Sequence, residues 1–452
     1  MVKIHTIILA AGAGSRMKSN KAKVLQRIGG MSMLQRVTAT ASSLNSKSTV
    51  VLGHDKDSVL EHMKTMDGNI TSVIQANQLG TADAVKSAMS QTQSGEKILV
   101  LYGDVPLVSK ESLEALIEQS SAGFSILTTN LEEPFGYGRV VTDSQNIAQA
   151  IVEEKDATPE QRLIKEIFTG ILCIDQELLI EGLQEINNNN AAKEFYLTDL
   201  VKIISKKGIN IIPVSANNDE VRGANSKSEL EALETILRNM NAQDLLDKGI
   251  TLADKSRTDV RGSVEAGNDC TIDVNVILEG AIKLGHGVTI GSNNYLKDVV
   301  IGDNTTIEPF SHLCNAKVGA NCSIGPYARL REGSTIEDGA KVGNFVETKK
   351  TTLGKGAKAN HFTYLGDADV GEGTNIGAGT ITCNYDGTNK HKTTIGDNSF
   401  IGTNTSLVAP VEIGTNAYVG AGSVITKDVP DNALAVGRGK QVIKEDWSKD
   451  KK

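Results

Sequence analysis

Aromatic side chains are scarce here: Phe, Tyr and Trp make up 4% of the 452 residues, with a single Trp. A core of packed rings is excluded, so apolar burial has to come from aliphatic residues. Proline is rare as well, at 8, whereas glycine reaches 44. That balance excludes Pro-rich linkers and implies many tight corners. The five cysteines (Cys173, Cys270, Cys314, Cys322 and Cys383) are scattered and form no C-x-x-C. An odd, dispersed set fits reduced thiols in a cytoplasmic protein, not a disulfide framework. The net charge of −8 argues against a nucleic-acid partner and leaves cations to act locally. No apolar run approaches membrane-spanning length, which argues against a membrane partner. Met1–Thr6 reads as the start of a strand without a secretory h-region or cleavage site.

What the chain does have is a beat of six. An aliphatic residue recurs from Ile272 to Ile425, often with Gly beside it. It runs through Leu278, Leu284, Ile290 and Leu296, then Ile301, Ile307 and Leu313, then Val318, Ile324, Leu330, Ile336 and Val342. Leu353, Ala359 and Leu365 follow, then Val370 and Ile376, and finally Ile395, Ile401, Leu407, Ile413, Val419 and Ile425. This period fits neither a helix nor an alternating strand. It fits a parallel β-helix whose inward residues stack from coil to coil, with Gly, Asn and Asp at the corners. The pattern resembles the hexapeptide-repeat family, and the left-handed sense is what that resemblance implies.

The first half, residues 1–227, alternates differently. Strands are expected at Ile4–Leu9, Thr49–Leu52, Ser72–Gln75, Ile98–Tyr102 and Phe124–Thr128. Helices are expected at Thr81–Met89 and Ser109–Glu118, giving a Rossmann-like α/β domain with a parallel sheet and ligands at the carboxyl ends of its strands. Ala10-Ala11-Gly12-Ala13-Gly14-Ser15-Arg16-Met17 follows the first strand. Its backbone N–H groups could cradle phosphate, with the cations Arg16 and Lys23 beside them. A plain tight turn would carry the same glycines. The loop has no G-K-[ST] and is neither a P-loop nor a dinucleotide fingerprint. Asp104 ends the apolar strand Leu101–Tyr102, where a carboxylate could hold Mg²⁺ or simply start the next turn. Gln75–Thr81 could read the edge of a base or cap a helix. Gly136–Arg139 and Ile151–Lys155 complete the set.

A helix over 228–249 is expected to link the halves, opened by the capping box Ser228–Glu231, with Leu230, Leu233, Leu237 and Met240 on one face. Residues 250–452 then form the β-helix, ending in a polar tail from Trp447 to Lys452. The hexads break after Ile376 and resume at Ile395, so Gly377–Lys392 reads as a functional loop. His361 and Tyr364 lie off the inward line set by Ala359 and Leu365, toward a corner or outer face. A neutral imidazole there could act as general base, with Arg331 and Lys349 holding a phosphate.

The first-half stretches resemble the sugar nucleotidyltransferases, although Ala22 stands where that family has Pro before Lys23. Taken with Val346–Lys350, His361–Ala368 and Asn375–Gly387, nearly the whole chain resembles the bacterial bifunctional N-acetylglucosamine-1-phosphate uridyltransferase and glucosamine-1-phosphate acetyltransferase family. The resemblance implies acetyl transfer from acetyl-CoA to glucosamine 1-phosphate. Uridyl transfer from UTP to N-acetylglucosamine 1-phosphate then yields UDP-N-acetylglucosamine, a precursor for peptidoglycan and lipopolysaccharide. It implies a homotrimer and a Mg²⁺ site at Asp104 and Asn225. The nucleotide and sugar site would use Leu9, Ala10, Ala11, Gly12, Lys23, Gln75, Gly80, Thr81, Tyr102, Gly103, Asp104, Gly138 and Glu153. The acetyl acceptor would meet Arg331, Lys349, Tyr364 and Asn375, with His361 as the base. Acetyl-CoA would meet Ala378, Asn384, Tyr385, Thr403, Ala421 and Arg438. Phe168 stands where the family has Asn, so one side-chain amide contact to the sugar is lost or replaced. Thr403 keeps the hydroxyl of the Ser common at that place. Two other readings remain open at this point: a nucleotidyltransferase whose β-helix only assembles or regulates it, and a non-catalytic assembly subunit.

Overall fold

A computed structural model describes residues 3–449, which form two compact units dividing after Leu237. The last three tail residues, 450–452, and the first two of the N-terminal strand reading lie outside the described residues.

In the N-terminal unit, apolar runs of strand type build one sheet. Its order is Ile211–Ser215, Phe124–Asn130, Glu166–Asp175, Lys97–Tyr102, Ile4–Ala10, Lys47–Leu52 and Ile70–Ile74. Successive side chains point to opposite faces, so both faces need apolar cover. Ile7, Leu9, Val51, Ile98 and Val100 face one buried layer, and Ile8, Ala10, Val50, Leu52, Leu99 and Leu101 face the other. The sheet is mixed, not parallel throughout. Glu166–Asp175 runs antiparallel to both neighbours, with its register shifted between Phe168 and Leu172. Sequence alternation missed this because only a three-residue 3-10 turn, Gln161–Leu163, and no α-helix separates that strand from the hairpin Arg139–Thr142 and Ala148–Val152 before it. What positions the site is the parallel pairing of Ile4–Ala10 with Lys97–Tyr102. Leu9 lies opposite Tyr102, so the Gly-rich loop and Asp104 leave the sheet side by side.

The connecting helix spans Lys227–Asp247. Its cap is Ser226, not Ser228. The Ser226 hydroxyl accepts from the Glu229 N–H at 3.2 Å, and the Glu229 carboxylate reaches back to the Asn225 N–H at 2.5 Å. Two overlapping Ser-x-x-Glu patterns compete here, and the upstream one wins because Asn225 offers Glu229 a second donor. Leu233 and Leu237 are buried with Met17, Ile28, Met33, Leu107 and Ala224, but Met240 is exposed. The apolar face shifts after Leu237, to Ala242 and Leu245.

The C-terminal unit is a parallel β-helix of hexapeptide repeats. Every aliphatic residue of the six-residue beat is buried in one continuous core. Three columns run along it. One passes through Ile272, Ile290, Ile307, Ile324, Val342, Ala359, Ile376, Ile401 and Val419. A second joins Leu278, Leu296, Leu313, Leu330, Thr348, Leu365, Leu407 and Ile425. Thr382 belongs to it too, opposite Leu407. The third includes Leu284, Ile301, Val318, Ile336, Leu353, Val370, Ile395 and Ile413. Asn275, Asn293, Asn304 and Asn321 take positive φ at the corners, where Asn tolerates the left-handed region. Phe310, Tyr327, Phe345 and Phe362 also take positive φ at a corner and form a ring ladder, the first two pairs stacked and the last tilted, at centroid spacings of 5.1, 5.3 and 5.1 Å.

The break in the beat is shorter than its aliphatic pattern implies. Thr382 is buried and keeps the inward position, and Ile381–Cys383 is a strand of the solenoid. The added chain is therefore 384–392, not 377–392. A threonine does not register as an inward residue when only aliphatics are counted. Replacing Ile324 by Ala should lower the stability of the C-terminal unit by about 2–5 kcal/mol. Denaturant unfolding followed by far-ultraviolet circular dichroism checks this.

Candidate active sites

A cleft of about 350 Å³ opens at the carboxyl ends of the N-terminal strands. Leu9, Ala10, Ala11, Gly12, Lys23, Gln75, Gly80, Thr81, Tyr102 and Asp104 line it, as do Gln78, from the stretch expected to read a base edge, and Glu194, which sequence reasoning had not assigned a role. The loop after the first strand is clamped from both sides. Gly103 N–H donates to Leu9 O at 2.9 Å, and Gln78 Nε2 donates to Ala11 O at 2.7 Å. Gln75 Nε2 donates to Asp83 Oδ2 at 2.8 Å, which holds its amide at the cleft wall. Gly80, at φ +129°, passes so close to the Phe195 backbone that a Cβ would lie 2.5 Å from Phe195 O. Gly170 is needed for a similar reason, because a Cβ there would lie 2.6 Å from the Tyr102 ring. Burial, then the charges of Asp104 and Glu153, push the Tyr102 hydroxyl well above its ordinary pKa, so it stays a neutral donor.

The charge centre of the cleft is Lys23. Its Nζ lies 2.5 Å from Asp104 Oδ2 and 3.1 Å from Asn225 Oδ1. Ala224 N–H donates to Asp104 O at 3.2 Å, which brings Asn225 to the strand end despite the long sequence separation. Asp104 does not cap the following helix; Ser109 does, accepting from the Ser112 N–H at 3.1 Å. Arg16 is exposed and does not line the cleft. Glu153 is held by the Thr198 hydroxyl at 3.0 Å, and burial raises its pKa. A Cβ on Gly138 would lie 2.8 Å from Ile151 and 3.6 Å from the Glu153 carboxylate, so these two sugar-side candidates adjoin. Phe168 is buried in the core, and its N–H donates to Gly138 O at 2.9 Å.

In the C-terminal unit the candidates fall on a corner and the face beside it. His361 pairs in register with Asn344, and its Nδ1 lies 2.7 Å from Asn344 Oδ1. An amide oxygen can only accept, so Nδ1 carries the proton and Nε2 is left as a base. Asn344 was missed in the sequence, although it sits one coil before His361. Phe345 and Phe362, the residues that follow Asn344 and His361, form a tilted ring pair at 5.1 Å. Ala378, Thr403 and Ala421 follow on the next coils: Asn404 N–H donates to Ala378 O and Gly422 N–H to Thr403 O, both at 2.7 Å. Arg438 Nη1 donates to Ala421 O at 2.7 Å. Asn375 lies on the strand opposite Lys358 and Phe400.

On the adjoining face, Arg331 Nη1 is 2.8 Å from Glu347 Oε1, and Lys349 Nζ is 3.1 Å from Glu332 Oε1. Lys349 holds the Glu332 carboxyl below the usual carboxylate range. Tyr364 lies opposite Glu347, and Lys349 opposite Gly366. Gly366 is hemmed in: a Cβ would lie 2.3 Å from the Tyr364 hydroxyl and 2.8 Å from Asn384 Nδ2. Asn384 is buried and donates to Asp367 Oδ2 at 2.5 Å, whereas Tyr385 is exposed. The added loop folds on Asp386, whose carboxylate accepts from the Thr388 and Asn389 N–H groups and pairs with His391. Those contacts hold its pKa down at about 2.

The MobA-like NTP transferase domain family matches residues 6–167, and the bacterial transferase hexapeptide repeat matches 298–331, 315–350 and 392–427. A "Bifunctional protein GlmU" from Marinomonas sp. (strain MWYL1) is 49% identical, with 98% of each chain covered. One from Psychrobacter sp. (strain PRwf-1) is 48% identical, with 99% of each covered. A third, from Marinobacter nauticus, is 45% identical over the full length of both. The chain belongs to the bifunctional GlmU family. A GlmU chain carries both activities, acetyl transfer to glucosamine 1-phosphate and uridyl transfer to N-acetylglucosamine 1-phosphate, and joins them in making UDP-N-acetylglucosamine. Replacing Asn344 by Ala should lower acetyl transfer about tenfold, because the imidazole loses the acceptor that sets its tautomer, and should leave uridyl transfer unchanged. Separate assays of thiol and pyrophosphate release measure both.

Proposed function

We propose that the N-terminal cleft is the uridyltransferase centre and that the corner around His361, with the face beside it, is the acetyltransferase centre. The observation that carries the first assignment is the meeting of Lys23, Asp104 and Asn225. Two hard oxygens within 3.1 Å of one ammonium suit Mg²⁺, which takes few protein ligands and completes its shell with phosphate oxygens and water. Bound at Asp104 and Asn225, Mg²⁺ would supply charge neutralisation on the nucleotide phosphates. Lys23 adds a cation in the cleft, Arg16 can add a second only by swinging in from the exposed loop, and the N–H groups of Ala11 and Gly12 approach the same oxyanions. The sugar phosphate attacks the α-phosphorus of UTP in line and pyrophosphate leaves, a step that needs positioning and charge more than a protein base. Gln75, Gly80 and Thr81 hold the nucleoside side, Tyr102 and Gly103 the phosphate side, and Gly138 and Glu153 the sugar.

The second assignment rests on the free Nε2 of His361. Nε2 takes a proton from the glucosamine nitrogen as that nitrogen attacks the thioester carbonyl; the C–S bond breaks and the thiolate leaves. Arg331 and Lys349 bind the acceptor phosphate, and Tyr364 and Asn375 complete its pocket. Acetyl-CoA runs along Ala378, Thr403 and Ala421, with Asn384, Tyr385 and Arg438 at its edges. His361 is exposed, which is compatible with a neighbouring copy closing over it in a homotrimer. No helix among the described residues is long and apolar enough to cross a membrane. The co-substrates UTP and acetyl-CoA, with five free cysteines, favour a cytoplasmic enzyme.

Two substitutions separate the centres. His361→Ala should reduce thiol release from acetyl-CoA by about 10²–10⁴-fold and spare UDP-sugar formation. Asp104→Ala should remove Mg²⁺-dependent pyrophosphate release and spare thiol release. Loss of both activities in either variant contradicts the two-centre assignment.

A further inference from the structure

The second inward column of the β-helix is aliphatic except at two coils, which carry Thr348 and Thr382. Both are buried, and they are neighbours in sequence to Lys349 and to Cys383-Asn384. Each hydroxyl bonds to a segment that bears candidate acetyltransferase groups: Thr382 to the strand Tyr364–Val370 and Thr348 to the turn 331–334. Thr382 Oγ1 accepts from the Gly366 N–H at 2.8 Å and lies 3.1 Å from Gly366 O. Gly366 is packed under the Tyr364 hydroxyl, and Asp367 beside it holds Asn384. Thr348 Oγ1 lies 2.8 Å from Ser334 Oγ, and the Ser334 N–H closes the turn onto Arg331 O at 3.1 Å. Glu332, the partner of Lys349, sits in that turn. An aliphatic residue would serve the core equally well at both places, as Leu330, Leu365 and Leu407 do in the same column. A buried hydroxyl is retained without loss only where it satisfies a partner.

We infer that Thr382 and Thr348 are positioning residues for acetyl transfer: their internal hydrogen bonds hold the strand and the turn that set Tyr364, Asn384, Arg331 and Lys349 against the substrates. The inference rests on the acetyltransferase centre proposed above. Neither threonine touches substrate; Thr382 acts through the Gly366 main chain and Thr348 through the Ser334 hydroxyl.

The test uses full-length Thr382→Val and Thr348→Val, which keep shape and remove the hydroxyl. Thr393→Val is the control, because the buried Thr393 hydroxyl has no partner among the described residues. Expected for both test variants is a fall of about tenfold or more in kcat/KM for glucosamine 1-phosphate, mostly as raised KM. Uridyl transfer should be unchanged, Thr382→Ser should recover to within about threefold, and Thr393→Val should match the parent. Acetyl transfer within twofold of the parent in Thr382→Val, while Lys349→Met and Tyr364→Phe lose it, overturns the inference and leaves the centre standing. Full activity in Lys349→Met and Tyr364→Phe overturns the centre itself and the inference with it. A fall shared by Thr393→Val, or not recovered in Thr382→Ser, marks a packing effect and also overturns the inference. Should Thr382→Val not fold, Thr348→Val with its own Ser variant decides the matter by the same criteria.

Discussion

Each coil of the C-terminal unit is held to the next by a parallel main-chain ladder and by one inward side chain lying on its equivalent. Each buried aliphatic contributes about 1.5–3 kcal/mol, and no single contact dominates. The constraint fixes more than stability. Because register is kept from coil to coil, residues one turn apart in the solenoid are neighbours in space even when 17 or 25 positions separate them in the chain. The column Asn344, His361, Ala378, Thr403, Ala421 exists only for that reason. So does the face that brings Arg331, Lys349 and Tyr364 together.

That constraint also explains which parts were readable beforehand. The aliphatic beat announced the β-helix, and every residue it named is buried. The strand-to-loop signals at Leu9–Gly12 and Tyr102–Asp104 pointed to one cleft because adjacent parallel strands deliver their carboxyl ends to the same edge. What escaped was information held across space. Asn344 carries no local signal and becomes visible only when the coils are laid in register. Glu194 reaches the cleft through a loop. The antiparallel strand Glu166–Asp175 leaves no mark on a pattern of alternating apolar runs. Thr382 was missed because the beat had been followed through aliphatic residues alone, and that enlarged the apparent insertion.

The two chemistries are built by opposite means. The N-terminal cleft gathers its charge from distant loops onto Lys23, where long-range hydrogen bonds such as Ala224 N–H to Asp104 O do the positioning. The groups proposed for acetyl transfer are carried by a regular scaffold and lie beside its small departures: a polar residue on an aliphatic column, and added chain at one corner. The coils from Leu278 to Leu296 keep the beat unbroken and carry none of the groups assigned to catalysis.

The most direct measurement of this account is a crystal structure with CoA and glucosamine 1-phosphate bound. The predicted result is CoA extended along the corner of Ala378, Thr403 and Ala421, with the sugar amine within hydrogen-bond reach of His361 Nε2 and its phosphate on Arg331 and Lys349. Density for either substrate on the unbroken coils between Leu278 and Leu296, with the His361 corner empty, would contradict it.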